Sequence, residues 1–124
     1  MKKLFFGSPI VHTIDSKHRV NVPYRFRRVL GSNIIYADYM EKYLIRCYPE
    51  QTFQREKRDM LKKPKDDENR QIFFLIEETH IDKQGRIPLK CPMGNLEKKV
   101  VFAANGDVFD IWDYKRFPYK DHIV

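Results

Sequence analysis

Apolar and polar residues alternate on both sides of a short polar loop, and the arrangement occurs twice. Residues 10–14 and 19–22 flank Asp15-Ser16-Lys17-His18, and His80-Ile81 and Ile87-Pro88-Leu89 flank Asp82-Lys83-Gln84-Gly85-Arg86. A period of two is expected of half-buried strands, so each copy predicts strand, tight loop, strand. Both loops obey one rule, Asp-x-x-x-Arg: Asp15 with Arg19, and Asp82 with Arg86. An Asp at a loop entrance accepts backbone N–H bonds within the turn, and Gly85 can take positive φ without steric cost. The matching position of the first copy holds His18, which enters that region less readily.

The pattern continues beyond the loops. Pro23 closes the strand over 19–22 and opens a predicted helix over 24–30, with Phe26, Val29 and Leu30 on one face and Gly31 as terminator. Arg25, Arg27 and Arg28 are expected to stay solvated beside the first loop. Residues 33–37 and 43–48 predict one hairpin. Residues 99–104 and 108–112 predict another around Asn105-Gly106-Asp107, the strongest short hairpin signal. Tyr48 and Phe53 correspond to Trp112 and Phe117 at the same five-residue spacing.

Between the copies, a charged helix is predicted from Pro49-Glu50 to Lys63, with Phe53, Met60 and Leu61 as its apolar positions. Pro64 interrupts it. Asp66 or Asp67 caps a second helix that carries Arg70 and the apolar run 72–76 toward the next strand. Its apolar end suits packing on a barrel or on a neighbouring subunit. Phe5-Phe6 is expected to pack its aromatics before Gly7-Ser8-Pro9, residues 113–117 to form a helical turn, and Pro118 onward a tail. We therefore expect a single domain, 1–124, divided into a first repeat over 5–53, a helical insert over 54–71 and a second repeat over 72–117.

Composition narrows the function. The 124 residues are 42% hydrophobic and 14% aromatic, enough for a shared core but marginal for two independent units. No apolar run is long enough to span a bilayer, and Gly-Ser-Pro follows Phe6 before a signal core could form, so a cytoplasmic location is expected. Cys47 and Cys91 are far apart and show no C-x-x-C spacing, and Cys47 reads as a buried strand residue. His12, His18, His80 and His122 show no ligand spacing, so no metal or cofactor is expected. A net charge of +7 favours an acidic partner. The excess sits early: residues 1–50 hold nine Lys or Arg against four Asp or Glu, whereas residues 72–124 hold eight of each.

The paired Asp-x-x-x-Arg loops, the run Val22-Pro23-Tyr24-Arg25-Phe26-Arg27-Arg28 after the first, and the ending Phe109-Asp110-Ile111-Trp112-Asp113 of the second resemble the MraZ family of bacterial DNA-binding transcriptional regulators. The resemblance spans roughly residues 6–117. It implies a mainly β fold with short helices, a pseudo-two-fold swapped-hairpin barrel of the AbrB type with both units in one chain. It further implies a ring-shaped homo-oligomer at the nucleoid, binding direct repeats of double-stranded DNA upstream of the division and cell-wall gene cluster and repressing it. Carried over by position, the functional residues are Asp15, Lys17 and Arg19 in the first loop and Asp82, Lys83 and Arg86 in the second. Three departures stand out: His18 replaces a Gly or Asn, Pro88 falls inside an expected strand with Lys90 where a Pro is usual, and the sequence ends soon after Phe117.

Physically, a basic loop on a β-ribbon can enter the major groove, where Arg pairs with guanine O6 and N7 and Lys neutralises phosphate. The residues expected to bind DNA are Lys17, Arg19, Lys83, Arg86, Arg25 and Arg28, with Asp15, Asp82 and Gly85 structuring the loops. Arg19 is expected to matter more than Arg86, since its half carries the surplus charge. An AbrB-type antitoxin would carry one unit rather than two. An oligomeric assembly protein without DNA binding is the rival from another class. An enzyme is disfavoured by the lack of any nucleophile and base arrangement or Gly-rich phosphate loop.

Overall fold

The strand that leads each half pairs with the hairpin of the other half. In the computed structural model, which describes residues 4–90, 93 and 98–123, the first half contributes β1 (Ile10–Thr13), β2 (Arg19–Asn21), α1 (Tyr24–Arg27), β3 (Ile34–Glu41) and β4 (Leu44–Pro49). Two helices follow, α2 (Glu50–Leu61) and α3 (Glu68–Phe73). The second half contributes β5 (Glu77–His80), β6 (Arg86–Pro88), β7 (Lys99–Asn105) and β8 (Val108–Asp113). An antiparallel six-stranded sheet runs β1-β7-β8-β4-β3-β5, and β2 and β6 form a separate two-stranded ribbon. The architecture is mainly β with short helices, as the alternation predicts.

Local chemistry sets each boundary. Gly106 takes φ +71° to close β7 onto β8. Asp67 caps α3 by accepting the Arg70 N–H at 3.0 Å, and Pro49 opens α2, where its missing N–H costs nothing. The helix expected over 24–30 is shorter: regular α-helix ends at Arg27, and Val29 and Leu30 both donate to the Phe26 carbonyl in a tightening last turn. Of the leading aromatics only Phe5 packs, bridged to Gly106, while Phe6 is 78% exposed. The residues after Pro118 form a short 3-10 turn over Lys120–His122, with the Tyr119 ring edge-on to Phe117. Pro88 is accommodated because β2 and β6 form a sheet of only two strands, each with an outer edge free of ladder bonds.

One hydrophobic cluster joins the ribbon to the sheet. Val20, Val22, Ile87 and Leu89 are buried together with Phe5, Phe26, Ile35, Ile45, Phe102, Phe109 and Ile111. Burying each such side chain stabilises the fold by about 1.5–3 kcal/mol relative to exposure, so the ribbon is anchored firmly at its inward face. A second, aromatic contact ties down the helices: Phe53 of α2 stacks on Tyr36 of β3 at 3.8 Å and on Phe73 of α3 at 4.9 Å. Tyr48 meets Phe53 edge-on much as Trp112 meets Phe117, the pairs that share the five-residue spacing. Across the sheet, Asp38, Arg46 and Asp110 stand in one row. The buried Asp110 accepts from Arg46 Nε at 2.9 Å and Nη2 at 3.3 Å, and from Asn105 Nδ2 at 3.2 Å. Cys47 lies fully buried on β4, and burial pushes its thiol pKa far up; Cys91 lies outside the described residues.

Candidate nucleic-acid interface

Each Asp-x-x-x-Arg loop is built by one carboxylate making three bonds. Asp15 Oδ1 accepts the backbone N–H of Lys17 at 2.9 Å and of Arg19 at 2.8 Å, and its Oδ2 accepts from Arg19 Nε at 3.0 Å. Asp82 repeats the set: Oδ1 accepts from Gln84 N–H at 2.9 Å and Arg86 N–H at 2.9 Å, and Oδ2 from Arg86 Nε at 3.0 Å. Backbone bonds close the turn, Asp15 N–H to the Arg19 carbonyl and His18 N–H to the Asp15 carbonyl, with Asp82, Arg86 and Gly85 in the same relation. The spacing follows from this geometry. A carboxylate accepts at both oxygens, so it can hold the N–H groups two and four residues on and the side chain of the latter at once. The backbone bonds from Arg19 and Arg86, with the guanidinium bonds beside them, hold both carboxyls below the usual carboxylate range.

His18 does not alter the first loop. It takes φ +61° where Gly85 takes +83°, and all the corresponding hydrogen bonds are made. The loops also interlock: Val22 N–H donates to the Gly85 carbonyl at 2.8 Å, and Leu89 N–H to the His18 carbonyl at 3.0 Å. Between them β2 and β6 pair as Arg19 with Pro88, Val20 with Ile87 and Asn21 with Arg86. Since Val20 and Ile87 point into the core, alternation puts Arg19, Asn21, Arg86 and Pro88 on the opposite, outward face. Both arginines are partly exposed, at 28% and 24%. Only Nε is engaged, and among the described residues the terminal guanidinium nitrogens make no further hydrogen bond. Each Asp therefore aims an Arg and leaves its outer edge able to donate twice.

The remaining basic candidates divide. Lys17 and Lys83 are exposed in the loops but are not equivalent, since Lys17 corresponds to Gln84 and Lys83 to Ser16. Arg28 is exposed, with its guanidinium 6.0 Å from the ring of the exposed Tyr24. Arg25 is only partly exposed and is held back on the leading segment rather than standing free beside the loop. Its Nη2 donates to the Ser8 carbonyl at 2.6 Å, its guanidinium lies 5.3 Å from the Phe26 ring, and its buried Nε has no partner among the described residues. A Cβ on Gly7 would stand 2.8 Å from Arg25 Cζ, so the absent side chain there lets the arginine fold back on the leading segment.

Arg27 carries the opposite surprise. Its Nε donates to the Val22 carbonyl at 3.0 Å, and its guanidinium covers the second loop so closely that a Cβ on Gly85 would meet Nη1 at 2.7 Å. An arginine that follows the first loop in sequence thus buttresses the second, a role the reading of the sequence missed. Its only legible trace was a glycine at position 85.

Other chemistry is sparse. Among the described residues no group of three or more His, Cys, Asp or Glu could hold a metal ion, and no helix is long and apolar enough to cross a membrane. Cavities of about 430 and 580 Å³ lie away from the loops, the first against Leu30, Pro49 and Arg55 and the second against Met40, Ile72 and Leu75.

The sequence as a whole has curated relatives. Over 109 residues the chain is 34% identical to the transcriptional regulator MraZ of Leuconostoc mesenteroides, covering 82% of this chain and 76% of that one. It is 31% identical to the protein of the same name from Acidithiobacillus ferrooxidans, covering 86% and 81%, and 31% identical to that of Lactiplantibacillus plantarum, covering 88% and 82%. No family model matches the chain. Its relatives place it among transcriptional regulators. Within that class, identity at this level over most of both chains means that it belongs to the MraZ family.

Proposed function

We propose that the chain is a sequence-specific regulator that grips double-stranded DNA with its two Asp-x-x-x-Arg loops. In this reading Arg19 and Arg86 read guanine in the major groove while Lys17, Lys83 and Arg28 neutralise phosphates. Asp15, Asp82 and Gly85 hold the loops in shape. The observation that carries the reading is the identical clamp in both loops, which fixes each Arg by Nε and leaves its outer edge toward solvent. The operator, by the family resemblance, is a set of direct repeats upstream of the division and cell-wall gene cluster, bound at the nucleoid and repressed.

One bidentate contact discriminates by about 1–3 kcal/mol, too little for one chain to select a site, so many copies must act together through effective concentration. A homo-oligomeric ring would supply them. Supporting it, Ile72, Phe74 and Leu75 at the end of α3 are exposed, Leu75 at 77%, beside Met40. The two halves, 5–53 and 72–117, would each present one loop, with the apolar residues that follow the insert over 54–71 serving assembly. That same apolar surface favours the second reading, an assembly protein of this fold without DNA binding. A mobility-shift assay on the DNA upstream of the coding region separates them. Wild-type protein should shift it in preference to an unrelated duplex and Arg19→Ala should lose that preference, with a smaller loss for Arg86→Ala; no shift by the wild type, or an undiminished preference in Arg19→Ala, would overturn the reading.

A further inference from the structure

We infer that Asn21 is a specificity-determining residue of the interface, reading adenine beside the guanine contacted by Arg86. The inference rests on the DNA-binding reading above and adds a base contact outside the loops. Asn21 is exposed on the outward face of β2 and stands directly across from Arg86 in the ribbon. Its neighbours on either side, Val20 and Val22, are buried, so its side chain is directed away from the core. Among the described residues its amide makes no hydrogen bond, while its backbone is held: the Asn21 carbonyl accepts from His12 Nδ1 at 2.6 Å. An unengaged amide on a fixed strand, adjacent to an aimed guanidinium, is the arrangement that pairs with adenine N6 and N7 in the major groove.

The halves differ at this point. Under the correspondence that takes Asp15 to Asp82 and Arg19 to Arg86, Asn21 falls on Pro88, which stands across from Arg19. Pro offers no side-chain donor or acceptor. The ribbon therefore presents an Arg beside an amide at one end and an Arg beside an apolar ring at the other. One chain would read two unlike half-sites, a guanine flanked by adenine next to Asn21 and a guanine without that requirement next to Pro88.

The test is selection from a pool of randomised DNA duplexes by wild type, Asn21→Ala and Arg19→Ala/Arg86→Ala, with fold checked by circular dichroism. Wild type should enrich guanine positions with an adenine next to one of them. Asn21→Ala should keep the guanines and its salt dependence but lose the adenine preference, a drop in discrimination of roughly 5- to 150-fold. The double Arg variant should enrich nothing. If it selects the same motif as wild type, the DNA-binding reading and this inference fall together. If it selects nothing while Asn21→Ala recovers the wild-type motif with unchanged relative affinities, only the role of Asn21 is overturned.

Discussion

Replacing Gly85 by Ala tests whether the second loop depends on the close approach of Arg27. Two costs arise from the geometry. At φ +83° an L side chain is strained by about 1–2 kcal/mol. The new Cβ would meet Arg27 Nη1 at 2.7 Å and Cζ at 2.8 Å, so the guanidinium must move and its bond to the Val22 carbonyl is lost, about 0.5–1.5 kcal/mol. The lower entropy of the unfolded Ala chain offsets about 0.4–1 kcal/mol. The net destabilisation is about 2 kcal/mol. With an unfolding entropy of about 2.1 cal/mol/K per residue, this lowers Tm by roughly 8 °C for a chain of this size. Calorimetry on Gly85→Ala measures it, and the same substitution in an Arg27→Ala background isolates the collision, which should shrink the loss to about 1 kcal/mol. A Tm within about a degree of wild type, or an undiminished loss without Arg27, would refute the reasoning.

Further expectations follow from other contacts. Arg46→Leu removes the main partner of the buried Asp110 carboxylate, leaving Asn105, and should cost about 2 kcal/mol by urea denaturation, the 30% exposure of Arg46 keeping it below a fully buried pair. Phe53→Ala, which breaks the stack between Tyr36 and Phe73, should cost about 3–5 kcal/mol by the same measurement. Since both loop carboxyls have lowered pKa values in the fold, their stabilising bonds are complete above the ordinary carboxylate pKa of about 3.9 and fail only as pH falls through the lowered values. Amide exchange at Lys17, Arg19, Gln84 and Arg86 should therefore be flat from neutral pH to about 5, after correction for intrinsic rates, and accelerate at more acid pH; early loss of protection would contradict the clamp. Cys47, buried and with its thiol pKa raised by burial first and by Asp110 second, should resist thiol reagents until the protein unfolds.

The loops and hairpins were legible because their determinants are local. The Asp, the Arg and the left-handed residue before it, His18 or Gly85, lie within five positions, and Asn105-Gly106 sets its own turn. Long-range choices were less so. Alternation shows which face of β1 is apolar, but not that its neighbour is β7 rather than a strand of its own half. Arg25 and Arg27 show the limit most clearly. Two positions apart on a helix they face different ways, and what separates their fates is Gly7 for one and Gly85 for the other, glycines on distant segments whose missing side chains leave room for a guanidinium. Phe5 and Phe6 part similarly, since only one of two adjacent side chains in extended chain can turn to the core.

The most direct test of the central claim, that two clamped arginines read DNA, is the affinity for operator and unrelated duplexes across a salt series. Wild-type protein should favour the operator, with log K falling against log salt at a slope of about −3 per chain if Lys17, Lys83 and Arg28 each neutralise a phosphate. Arg19→Ala/Arg86→Ala should bind both duplexes alike while keeping most of that slope. Affinity indifferent to salt, or a double variant that still prefers the operator, would contradict the account.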